Sequence, residues 1–157
     1  RKACIEPIKF NADGTIDDKE IAILADIKEW MDINGQTIYG TRPWKTFGEG
    51  PLAEASNPLN AQGFNENNNY SSADIRFVQR NDTVFAFTMR YPEEKSCTIK
   101  SLGTTSEHCN GKVKSVTMPG YGPVEFIQSA EGLDIRLPET KVNKLAATFA
   151  IEFDKES

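Results

Sequence analysis

The residues of this 157-residue chain that could do chemistry cluster in one stretch. Tyr39, Arg42 and Trp44 lie within six positions of one another, and Glu49 follows between Gly48 and Gly50. A Trp ring offers an apolar face and an N–H, a Tyr ring a face and a hydroxyl, and an Arg several donors. Together they suit a carbohydrate surface or a domain interface with one wet end. Two readings stay open: Tyr39, Arg42 and Trp44 line a sugar site, or they fasten one element to another. Hydrolysis of a glycosidic bond needs two carboxyl groups, ~5 Å apart in a retaining enzyme. Asp17, Asp18 and Glu20 are close in sequence, but acidic residues are expected at a helix start. Glu49 reads as a surface turn and Glu93-Glu94-Lys95 as a hairpin tip, so no catalytic carboxylate is assigned. His108 is the only histidine and adjoins Cys109. Neighbours on an extended segment point apart, so a Cys-His couple is not expected and His108 reads as a turn residue. Cys4, Cys97 and Cys109 are too few and too scattered for a zinc site. No metal and no cofactor are expected. The three thiols read as free and buried, with a Cys97–Cys109 pairing left open.

These residues must be held by something, and a helix precedes them. Asp17 is placed to cap it by accepting from the Glu20 N–H, with Glu20 reaching back and Ile16 and Ile21 at the staple positions. Ile23, Leu24, Ile27, Trp30 and Met31 recur at helical spacing and form one apolar stripe that must pack on something. Asn34-Gly35 is expected to stop the helix through a left-handed glycine. Residues 34–51 then read as an aromatic, glycine-punctuated loop. Residues 51–72 read as a linker rich in Asn, Ser and Gly.

From Asp74 the period changes to two. Alternating runs at 75–80, 84–90, 97–102, 112–117, 124–128, 133–137 and 145–153, separated by turn residues, predict an antiparallel β-sandwich over 73–157. Phe85, Phe87 and Met89 share one face of the second run. Leu145, Ala147, Phe149, Ile151 and Phe153 share one face of the last. The net charge of −5 disfavours nucleic acid and anionic membranes as partners. No apolar run approaches the ~18 residues of a membrane span.

Three runs in the sequence are specific enough to suggest a family: DGTIDDKEIAIL, IKEWMDINGQTIYGTRPW and FGEGP. They resemble the family 29 α-L-fucosidases of the glycoside hydrolases, with Gln36 where that family usually has Glu. The resemblance spans Asp13 to about Phe153; residues 1–12 depart from the family's pattern. It implies a mainly β fold: a C-terminal antiparallel β-sandwich preceded by one amphipathic α-helix left from a (β/α)8 catalytic barrel. On this division residues 1–50 are the terminal helix and loop of the barrel, 51–72 the linker and 73–157 the sandwich. The family's nucleophile and acid/base residues lie upstream on the barrel. The expected role is therefore that of a non-catalytic C-terminal portion that supports the barrel of the same enzyme, whose intact form hydrolyses α-L-fucosides with retention. Tyr39, Arg42 and Trp44 become the candidate substrate-binding residues, and fucosylated glycans the candidate ligand. A periplasmic, extracellular or lysosomal-type compartment suits such an enzyme. The alternative is a self-standing carbohydrate-binding or adhesion module. A further partner is a second copy of the chain, docked through the uncovered helix face.

Overall fold

A computed structural model describes residues 10–54 and 69–154. The first long element is helix α1, Asp18–Asn34. Asp17 caps it, but its carboxylate accepts from the Lys19 N–H at 2.8 Å, while the Glu20 N–H bonds to the Asp17 carbonyl at 3.0 Å. The predicted stop at Gly35 is displaced. Gly35 is right-handed, with φ −54°, and the chain continues as a 3-10 turn, Gly35–Thr37. The left-handed residue is Gly40, at φ +72°. Gly35 serves close approach instead: a Cβ there would stand 3.3 Å from Tyr39 Cε2.

The segment expected to be a loop forms a strand. β1, Arg42–Glu49, is the edge of a six-stranded antiparallel sheet. Pro43 and the glycines hide it in the sequence, and an edge strand is where a proline is tolerated. β2 (Ile75–Arg80), β3 (Thr83–Thr88), β9 (Thr148–Phe153), β5 (Val113–Met118) and β6 (Gly122–Pro123) follow in that spatial order. Against it lies a three-stranded sheet ordered β4 (Ser96–Ile99), β8 (Leu133–Arg136), β7 (Phe126–Gln128). The mainly β architecture with one leading helix is the one expected. The pattern from 75 onwards places most of the strands, but β4 stops at Ile99 and gives way to a 3-10 turn at Lys100–Leu102, β6 was not expected, and β9 starts at Thr148 and leaves Leu145 exposed.

The core lies between the sheets. Val84, Ala86, Phe149 and Ile151 from the large sheet meet Ile99, Leu133 and Ile135 from the small one, all essentially inaccessible to solvent. β3 differs from a simple half-buried strand. Val84 and Ala86 face inward, while Phe85 and Phe87 fill the other face and are also buried. The Arg80 guanidinium sits 5.2 Å from the Phe85 ring centre, and Trp30 of α1 packs at a tilt against Phe87 with ring centres 6.2 Å apart. The C-terminal half of α1 thus covers the outer face of the large sheet. Ile33 backs the turn at Gly120, where a Cβ would come to 2.7 Å of its Cγ2.

Polar ties close the two ends of the sandwich. Glu49, at the end of β1, accepts from the Lys100 N–H at 2.8 Å and the Ser101 N–H at 2.7 Å, in the turn after β4. Gly48 and Gly50 allow this: a Cβ at Gly48 would lie 2.5 Å from the Ile75 carbonyl, and one at Gly50 2.3 Å from the Ala73 carbonyl. Gln128 of β7 accepts from the Val113 N–H at 2.9 Å and donates to the Leu102 carbonyl at 3.0 Å. Removing a charged acceptor leaves two backbone donors unpaired, at about 1–3 kcal/mol. Glu49→Ala is therefore expected to lower the unfolding free energy by that amount, seen as a lower urea midpoint with no change in slope, and Glu49→Gln by less; equilibrium unfolding followed by tryptophan fluorescence measures it.

Candidate functional site

The three residues singled out in the sequence do not converge. Tyr39 is 68% exposed on the turn after α1. That turn is held from below by Arg80, whose Nη1 donates to the Gln36 carbonyl at 2.6 Å and the Tyr39 carbonyl at 2.9 Å. Arg42 is exposed at the start of β1, opposite Gln79. Trp44 is only 5% exposed. Its ring packs edge-on against Phe77 at 5.0 Å and against His108 at 6.4 Å, so it has no face open to a sugar. A strand alternates its side chains, and the inward position took the largest apolar one. His108 is correspondingly not a plain turn residue. Its imidazole is half-buried against Trp44, with Glu107 Oε1 3.7 Å from Nε2.

Two carboxylates, half-buried Glu49 and buried Asp74, are committed to backbone donors. Glu49 holds the Lys100–Ser101 turn, as described. Asp74 is buried and accepts from the Leu52 N–H at 2.8 Å, the Ser71 N–H at 2.9 Å and the Ser71 hydroxyl at 3.0 Å. Burial pushes the Asp74 carboxyl up, but these bonds and the nearby Arg76 outweigh it and hold it below its ordinary 3.8. Cys97 and Cys109 are free thiols. Burial pushes Cys97 up to about 12, helped by the Glu49 and Asp134 carboxylates. Cys109 Sγ lies 3.1 Å from the Gly111 carbonyl.

Two surface features were not legible as units in the sequence. One is a groove of about 700 Å³ between the end of α1 and the ends of β3 and the 141–146 segment. Trp30, Phe87 and Tyr91 contribute rings, and Arg76, Arg90, Lys141 and Lys144 contribute charge. Lys141 pairs with Glu93 at 2.8 Å, and Arg76 lies between the Phe47 and Tyr70 rings at 5.4 and 5.6 Å. The other is the N-terminal half of α1. Ile21, Ile23, Leu24 and Ile27 are 47–58% exposed there, although Trp30 is partly covered by the sheet. The stripe was visible as a pattern; that its two halves have different fates was not.

The comparisons with known proteins match this arrangement. The family described as the alpha-L-fucosidase C-terminal domain matches residues 67–153. The chain belongs to that family. The alpha-L-fucosidase of Branchiostoma floridae is 24% identical over 132 residues, covering 81% of this chain and 23% of the relative. The tissue alpha-L-fucosidase of Mus musculus is 26% identical over 126 residues, covering 79% of this chain and 22% of the relative. This fucosidase C-terminal domain therefore spans less than a quarter of those curated relatives. Among solved structures, Thermotoga maritima alpha-fucosidase in complex with fucose superposes with a TM-score of 0.60 at 20% identity, covering 92% of this chain and 29% of that one. The Paenibacillus thiaminolyticus alpha-L-fucosidase isoenzyme 1 superposes with a TM-score of 0.56 at 16% identity, over 94% and 30%. At these identities the superpositions establish the fold.

Two chemical consequences are testable in this domain. The native Asp74 carboxyl lies below its unfolded value of about 3.9, so the unfolded chain binds more protons in the acid range. Its contribution is present above that value and is lost as pH falls through the folded one. Asp74→Asn is expected to be less stable near neutrality by about 1–3 kcal/mol and to lose this part of the acid dependence. Thermal melts from pH 7 to 2 compare the two. Cys97, buried and protonated, is expected to resist an alkylating reagent at pH 8 until the chain is unfolded by urea; peptide mass mapping reads this site by site.

Proposed function

We propose that this domain is the non-catalytic support of an α-L-fucosidase, seated on the catalytic barrel of the same enzyme through the exposed half of α1. The observation that carries the reading is the ridge Ile21, Ile23, Leu24 and Ile27, four large apolar residues left facing solvent on a helix whose other half is already packed. A row of this kind is the usual mark of an interaction surface. The carboxylates Glu49 and Asp74 are spoken for by backbone donors, which supports placing the nucleophile and acid/base on the barrel. In the intact enzyme those two carboxyl groups would carry retaining hydrolysis of α-L-fucosides. Tyr39 and Arg42 stand exposed beside the end of α1 and are the residues proposed to meet a fucosylated glycan, with Trp44 holding their strand from beneath.

Three measurements on the purified chain test the reading. No turnover of an aryl α-L-fucoside is expected, and activity that survives repurification would overturn the supporting role. Light scattering at rising concentration is expected to show self-association through the bare ridge, abolished by Leu24→Glu with Ile27→Glu. A monomer at all concentrations would remove the argument from the ridge. Amide shifts on titration with L-fucose and a fucosylated oligosaccharide are expected around Tyr39 and Arg42. Saturable shifts confined to another surface would favour a self-standing carbohydrate-binding module instead.

A further inference from the structure

The hairpin between β2 and β3 carries the triplet Asn81-Asp82-Thr83, which has the N-x-Ser/Thr form of an acceptor for asparagine-linked sugar. The form alone is common, and the fold decides whether a residue bearing it can carry a bulky polar group. Arg80 and Thr83 pair across the ladder, so Asn81 and Asp82 are the two residues of the turn itself, and both are exposed. Asn81 has φ +54°, a conformation that asparagine tolerates in a two-residue hairpin turn. Among the described residues its carboxamide makes no hydrogen bond. Other asparagine amides are engaged: Asn34 Nδ2 donates to the Trp30 carbonyl at 3.0 Å and Asn143 Nδ2 to the Ala146 carbonyl at 2.8 Å. Neither of those two has the acceptor form. Around Asn81 lies an open depression of about 710 Å³ edged by Lys45, Asp82, Asn110 and Asp154, with Cys109 and Phe153 also in its lining, which leaves room for a hydrated chain.

We propose that Asn81 is an N-glycosylation site. The sugar donor is a lipid-linked oligosaccharide diphosphate, presented by a host transferase. Asn81 Nδ2 forms the new bond to the sugar C1. The bond from C1 to the diphosphate oxygen breaks, the lipid diphosphate leaves with the electron pair, and the amide proton passes to a base of the transferase. The glycan then stands on a turn whose two residues take no part in the core, so the β2–β3 ladder and the packing of Phe77 and Val84 are undisturbed. A second triplet, Asn69-Tyr70-Ser71, differs in its surroundings: Asp74 binds both the Ser71 N–H and its hydroxyl, and the Tyr70 ring lies by Arg76.

The test is secretion of the whole chain from eukaryotic cells, followed by enzymatic removal of N-glycans in heavy-oxygen water and peptide mass mapping. That treatment turns a glycosylated Asn into a labelled Asp, and the readout keeps Asn81 and Asn69 apart. The bulk of the Asn81 peptide is expected to carry the label. Asn81→Gln and Thr83→Ala should each abolish it at that peptide, and Thr83→Ser should retain it. A secreted chain with unlabelled Asn81, from cells that glycosylate a reference protein in the same preparation, overturns the proposal. The wild-type chain alone decides the matter if either loss variant fails to fold.

Discussion

The structure depends on one strand being buried on both faces. β3 sends Val84 and Ala86 into the sandwich and Phe85 and Phe87 out of it, and both pairs are buried. An antiparallel sheet often leaves one face to solvent. Here the outer face carries two phenylalanines, each of which contributes a few kcal/mol only when covered. The sheet therefore needs a third layer, which Trp30 and the Arg80 side chain supply. Arg80 does two things at once: it lies on Phe85 and, through one nitrogen, holds the carbonyls of Gln36 and Tyr39. The helix, the turn after it and the sheet are thereby fixed to one another.

That arrangement gives α1 two roles along its length. Its C-terminal half belongs to the sandwich through Trp30 and Ile33, and its N-terminal half presents bare isoleucine and leucine. A helix with one continuous stripe, cut in two by where the sheet ends, is a natural joint between a β-domain and a neighbouring body. It suits a fucosidase C-terminal domain, whose matched relatives extend far beyond the stretch that this chain covers.

Polar groups inside the sandwich are used for closure. Glu49 and Gln128 each bond backbone groups across from their own sheet, so the two sheets are pinned near both margins, while apolar contacts between fix nothing about direction. Asp74 pins the return of the chain into β2 in the same way. Such bonds define geometry more than they add net stability, because each replaces a bond to water. The same closeness keeps Cys97 protonated beside carboxylates, an inert thiol in a packed layer.

By itself the sequence determined the helix, its single stripe, most of the strands and the family, because each is written in local period or in a run of specific residues. Period-two alternation recurs in short runs between Ile75 and Phe153, and the run from Ile27 to Trp44 is long enough to be characteristic. Only the tertiary structure decided that Arg42–Glu49 is a strand, since an edge strand with Pro43 and glycines lacks local signals and exists through pairing with β2. It also decided that Trp44 lies inside while Tyr39 and Arg42 lie outside, and that Glu49 is a clasp. Those outcomes depend on which residue from a distant segment arrives opposite, and no property of the local sequence encodes that meeting.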